Sequence, residues 1–248
     1  LSKIAAYLAP WPVMAGLGAL IIDLGKPFSF WLILLNYRLN SVMSIGVILL
    51  LLFVPIALLF AYLSWKQPDS TLMKPLAWAG VLCSVGVGIY TGVLLSSIAT
   101  NPVWGSSVLP ALFLVSATST GVAYVLLASS FVGSVESEAR ALWSRIDLGL
   151  IGTELVLILL LLIGWVFAPS GTEAMQAVAG GGYGAIFWVG IVIIGLIIPL
   201  VINILEMKRG HEAASPALAL ASYALVLVGG FLLRYVILNA GQATNLTF

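Results

Sequence analysis

Charge is what this sequence lacks most. Asp, Glu, Lys and Arg make up 8% of its 248 residues, against about 25% in soluble domains. A formal net charge of +1 offers no basic surface for nucleic acid. Cysteine is reduced to Cys83, inside an apolar run, which excludes an internal disulfide or a cysteine metal cluster. Histidine is reduced to His211, in a loop. Haem held between intramembrane histidines is therefore not expected on this chain, nor is any other metal. No GxxxxGK[ST] and no GxSxG occurs. "AGGGYG" at 179–184 follows a polar loop rather than a strand and makes no nucleotide fingerprint. The chain opens on Leu1 with no signal peptide, so its own N-terminus is expected to be missing.

What remains is apolar. The chain is 62% hydrophobic with a mean hydropathy of +1.17, which places it among integral membrane proteins. A helix crosses the bilayer with roughly 20 residues. Seven runs of that length are predicted near 3–24, 42–64, 75–97, 107–132, 146–168, 183–206 and 216–238. Alternating ten-residue strands are absent, so the expected fold is an all-α, polytopic helical bundle and not a barrel. Polar punctuation such as "SWKQPDST", "ATNPVWGSS" and "MKRGHEAASP" leaves no room for a soluble domain. The whole of 1–248 reads as one transmembrane domain.

Orientation follows from the basic residues. Lys3, Lys66, Lys74, Arg140, Arg145, Lys208 and Arg209 fall on one side, and only Lys26 and Arg38 on the other. The first side is expected to face the cytoplasm and the C-terminal "NAGQATNLTF" to lie outside the cell (inner) membrane. The outer stretch "DLGKPFSFWLILLN", 23–36, suits an interfacial or re-entrant segment, or a plain aromatic belt.

Ionisable residues inside a bilayer cost about 2.5–3.5 kcal/mol on insertion scales and need a reason. Glu154 lies deepest, in "GLIGTELVLILLLL". Asp147, seven residues earlier, shares nearly the same helix face about 10 Å away. Glu206 ends the sixth span on the same cytoplasmic half, and Arg234 lies near the outer end of the seventh. Asp23 and Glu206 also read as ordinary helix-end charges, and Arg145 with Asp147 as a local pair. Gly80, Ser84, Gly88, Gly92 and Ser96 recur every four residues, a seam for close helix packing. Tyr90, Thr91, Ser96 and Ser97, then Ser116, Thr118, Ser119 and Thr120, form hydroxyl-rich stretches. Such hydroxyls can hold a polar headgroup or simply bond backbone carbonyls.

"DLGKPFSFWLILLNYRLNSVMSIGVILLLL" resembles the NrfD family, the membrane subunits of polysulfide-reductase-like complexes. Asp23, Leu24, Gly25, Pro27, Phe30, Trp31, Asn36, Ser41, Met43, Ser44 and Gly46 match its first signature, with Lys26 in place of the usual Arg. Residues 90–121 are similar to its second. "IDLGLIGTELVLILLLL" and "LLRYVILNAGQ" resemble its later helices. Short members of the family have eight helices, so the resemblance implies a leading helix before Leu1.

The resemblance further implies a quinone-reactive anchor of a respiratory oxidoreductase. Electrons would pass between a menaquinone or ubiquinone pool and a docked iron–sulfur subunit, with a molybdopterin-type catalytic subunit beyond. The anchor itself would carry no redox centre. The headgroup would be held by Asp23, Tyr90, Ser96, Ser116 and Arg234. Lys26, Pro27, Phe30, Trp31, Arg38 and Trp104 would form the dock. Asp147, Glu154 and Glu206, on the opposite half, would carry protons toward the cytoplasm or remain structural in an electroneutral cycle. A proton-coupled secondary transporter is the alternative that the buried Glu154 and Arg234 also fit. An anchor that binds no quinone is the third.

Overall fold

The computed structural model describes residues 2–23, 41–132, 137–209 and 216–245. The predicted dock residues Lys26, Pro27, Phe30, Trp31 and Arg38, the side chain of Asp23 and the loop carrying His211 lie outside them. Among the described residues, seven helices are long and apolar enough to cross a membrane: Lys3–Ile22, Val42–Lys66, Met73–Ser96, Leu109–Phe131, Leu142–Phe167, Ile186–Lys208 and Ala217–Thr244. No strand occurs among them. The all-α, multi-pass architecture expected from the composition is the one found.

Two compact units make up the fold, Leu1–Leu94 and Leu95–Phe248. In the first, α1 (Ser2–Leu8) and α2 (Pro10–Asp23) make up the first span. The break between them falls at Pro10, which has no N–H to continue the ladder. Both pack on α3 (Val42–Lys66). Within this unit α4 (Met73–Ser96) meets α3 through glycines. Gly80 faces Ile56, Gly86 faces Leu49, and a Cβ at Gly46 would strike the Tyr90 ring.

In the second unit α5 (Leu109–Val132), α6 (Ser137–Phe167), α8 (Ile198–Arg209) and α9 (Pro216–Asn245) surround the polar residues discussed below; α7 (Gly171–Met175) is a short turn after α6. The sixth span is not uniform. Ile186–Ile197 winds with a wide π-helical pitch and tightens to α8 at Ile198. Pro199 cannot donate to the carbonyl of Gly195, four residues back, and its ring crowds that carbonyl, so a relaxed pitch before it is expected. Gly195 also lies against Gly229 of α9; a Cβ on Gly229 would come 2.5 Å from the Gly195 Cα. The two backbones touch because neither carries a side chain. Gly229→Leu should force them apart and lower stability by about 1–3 kcal/mol; the fall in melting temperature in detergent measures it.

Burial follows the bilayer logic. Ile151, Ile158 and Leu161 of α6 and Val226, Leu233 and Ile237 of α9 are enclosed, while Leu159, Val166, Val228 and Phe231 point outward. Outward apolar side chains are what lipid requires.

Candidate functional site: an intramembrane polar cluster

The turn before α5 anchors the end of α9. It starts at Asn101 and Pro102, where Asn101 Oδ1 accepts the N–H groups of Val103 and Trp104, each at 3.0 Å. This is the side-chain turn that Asn favours. Asn101 Nδ2 donates to the Gly241 carbonyl at 2.8 Å, and Trp104 Nε1 donates to the Ile237 carbonyl at 2.8 Å. These two bonds hold the last turns of α9, which runs to Asn245, seven residues beyond the predicted end of its span. Part of the tail expected to be loop is therefore helix. Trp104 is 6% exposed. Trp104, expected at the docking surface, is a buried clasp within this unit, and its ring lies against Gly241.

The hydroxyls of α5 separate by role. Thr118 Oγ1 donates to Leu114 O and Thr120 Oγ1 to Ser116 O, each at 2.8 Å. These two satisfy their own helix. Ser116 and Ser119, about one turn apart, face the acids of α6 instead. Ser119 Oγ donates to Asp147 Oδ1 at 3.2 Å. Ser116 also lies near the Glu154 carboxyl. Asp147 and Glu154 are both enclosed, at 0% and 3% exposure, so they do share an inward face. Arg145, read as a pair for Asp147, is exposed.

Arg234 reaches this cluster from α9. Its Nη1 donates to the Gly230 carbonyl at 2.8 Å and to Ser116 Oγ at 3.3 Å, and its Nη2 donates to the Phe113 carbonyl at 3.4 Å. The guanidinium carbon stands 5.7 Å from the centre of the Phe113 ring, within cation–π range. Glu154 acts on it electrostatically. Arg234 and Glu154, expected on opposite halves, are thus close enough to act on each other. Counting helix positions ignored the reach of the side chain. A helical side chain leans toward the N-terminus of its helix, and Arg234 extends back to Gly230, one turn deeper.

Two residues that sequence reading passed over complete the cluster. Asn203 of α8 donates through Nδ2 to Asp147 Oδ2 at 3.1 Å. Ser222 of α9 donates to Asn203 Oδ1 at 3.3 Å. Both are buried. The signal was a lone Asn inside "PLVINILEM", neutral and so not weighed with the charges. From Ser222 to Arg234 the cluster spans twelve residues of α9, about 18 Å of a hydrocarbon core about 30 Å thick.

Tyr90 belongs to the first unit, where its half-buried ring seats on Gly46. Ser96 ends α4. Glu206 lies about one turn past Asn203 on α8 and is partly exposed.

The cluster is chemically distinctive: a guanidinium bonded to a hydroxyl with a carboxyl nearby, and a second carboxyl held by neutral donors, all within apolar spans. The family model described as Polysulphide reductase, NrfD matches residues 1–246. The protein is 32% identical to the C subunit of polysulfide reductase from Wolinella succinogenes, across 97% of this sequence and 81% of that protein. It is 30% identical to the NrfD homolog of Haemophilus influenzae, across 94% and 79%. It is 24% identical to the Hdr-like menaquinol oxidoreductase integral membrane subunit of Archaeoglobus fulgidus, across 85% and 55%. With almost its whole length matched, this multi-pass membrane protein belongs to the NrfD family.

Proposed function

We propose that the protein is the quinone-reactive membrane anchor of a multi-subunit respiratory oxidoreductase. It would exchange electrons between a quinone pool and a docked iron–sulfur subunit, with a catalytic subunit of the molybdopterin type beyond. The observation that carries this reading is Arg234. A guanidinium held among Phe113, Ser116 and Gly230 inside the membrane supplies what a quinone headgroup needs, which is a cationic donor in apolar surroundings. Its three hydrogen bonds use three of five N–H groups, so donors remain for a carbonyl oxygen. The names of the relatives, a polysulfide reductase subunit and a menaquinol oxidoreductase subunit, support the same reading.

The quinone would supply two-electron redox chemistry; the protein's residues govern charge and protons around it. Arg234 would stabilise negative charge on the reduced oxygen. Ser116, which accepts from Arg234 and lies near Glu154, would link the headgroup to a proton store. Asp147, Glu154 and Glu206 would form the proton route. The assignment of Asp23, Tyr90 and Ser96 to the headgroup, and of Lys26, Pro27, Phe30, Trp31 and Arg38 to the dock, belongs to the same proposal. So does operation of the full 1–248 as one domain in the inner membrane with an external C-terminus. A proton-coupled permease is the second reading, which the buried Glu154 and Arg234 also fit.

Gentle purification of the tagged protein tests it. An iron–sulfur protein and extractable quinone should come with it; a stable solitary protein free of quinone would overturn the proposal in favour of the permease. A reporter fused after Phe248 should be active outside the cytoplasm.

A further inference from the structure

Four spans meet at Asp147, and three of them send it a neutral partner directly or through one residue. Ser119 of α5 serves one oxygen and Asn203 of α8 the other, while Ser222 of α9 holds Asn203. No cationic side chain among the described residues contacts this carboxyl, unlike Glu154, which has Arg234. A buried carboxylate so placed must take up a proton or hold its charge on hydrogen bonds alone.

We infer that Asn203, fixed by Ser222, is the positioning residue for Asp147 and sets the pH at which that acid takes up a proton. This rests on the reading of Asp147 as a proton carrier. The direction of the bonds supports it: Ser222 donates to Asn203, and Asn203 and Ser119 donate to Asp147. All of them favour the carboxylate. An amide keeps its protons at any workable pH, so Asn203 holds the acid and does not relay through itself. It can accommodate both states. When Asp147 gains a proton, the amide turns over, Oδ1 accepts the new O–H, and Nδ2 donates to Ser222 Oγ. One proton is added, the two hydrogen bonds of Asn203 are replaced by their reverse, and Ser119 still donates to the other oxygen.

Charged and titratable neighbours frame the site. On α6, Glu154 lies two turns along and interacts electrostatically with Asp147, and Arg145 is exposed. Glu206 follows Asn203 on α8. On α9, Tyr223 adjoins Ser222, and Arg234 lies about three turns on. On α5, Tyr124 lies beyond Ser119.

The test uses the complete complex in vesicles, with quinone turnover and a trapped pH dye read across pH. Asn203→Leu removes a donor to the charged form, so the protonated acid persists to higher pH. The profile of proton uptake should move in the alkaline direction by about one to two pH units, with quinone turnover unchanged. Ser222→Ala should move it the same way by less, and Ser222→Thr, which keeps the hydroxyl, should leave it in place. If Asn203→Leu fails to assemble, Ser222→Ala decides. An unmoved profile alongside lost uptake in Asp147→Asn overturns the positioning role alone. Unchanged uptake in Asp147→Asn overturns the proton route beneath it.

Discussion

Arg234→Leu should reduce quinone-linked turnover about 100–1000-fold, the loss seen when one preorganised donor to a developing negative charge is removed. Activity of the catalytic partner with an artificial dye, which bypasses the membrane, should survive. The geometry adds a complication. Arg234 also acts electrostatically on the buried Glu154, and removing the cation leaves that acid less compensated. The single variant should therefore also be less stable. Arg234→Leu combined with Glu154→Gln removes both charges; it should regain much of the melting temperature and none of the turnover. Normal turnover in either variant would mean that the guanidinium serves packing only. Arg234→Lys is a finer probe, since it keeps the charge and loses the fork that reaches Ser116 and Phe113 together.

Trp104→Ala should be the most destabilising substitution outside the polar cluster. It empties a buried site and removes the indole N–H that bonds the Ile237 carbonyl. Burial alone gives about 3–5 kcal/mol for a Trp→Ala change. Thermal unfolding of the detergent-purified protein measures it. Trp104→Phe separates the two contributions, because it keeps most of the volume and removes the N–H. A Trp104→Ala protein as stable as the parent, yet unable to retain its iron–sulfur partner, would restore the docking role that its burial argues against.

The spans were legible because the bilayer imposes length and apolarity on every crossing helix, whatever its neighbours. Their ends were less so. Asn239, Gly241 and Gln242 read as an exit from the membrane, and nothing local announces that Asn101 and Trp104, more than 130 residues earlier, bond this stretch of helix. The wide pitch of Ile186–Ile197 also has a local cause, Pro199, and a distant one, the Gly195–Gly229 contact; only the first can be seen in one segment. In the cluster, the charges were found because each is costly in lipid. Asn203 and Ser222 escaped notice because neutral polar residues are cheap enough to pass as helix filler. Arg234 and Glu154 were set apart because the sequence was read by Cα position, whereas a long side chain on an inward face meets its partner a turn away.

The clasp between the 97–108 turn and the end of α9 also has a consequence in time. Trp104 and the carbonyl it serves are 133 residues apart. At about 5–20 residues per second, the ribosome takes roughly 7–27 seconds to deliver the second after the first. Through that interval the Asn101 amide and the Trp104 indole stand at the membrane without the helix they close upon. The second unit can therefore be finished only by its last helix, and maturation is timed by the end of synthesis rather than by the insertion of each span.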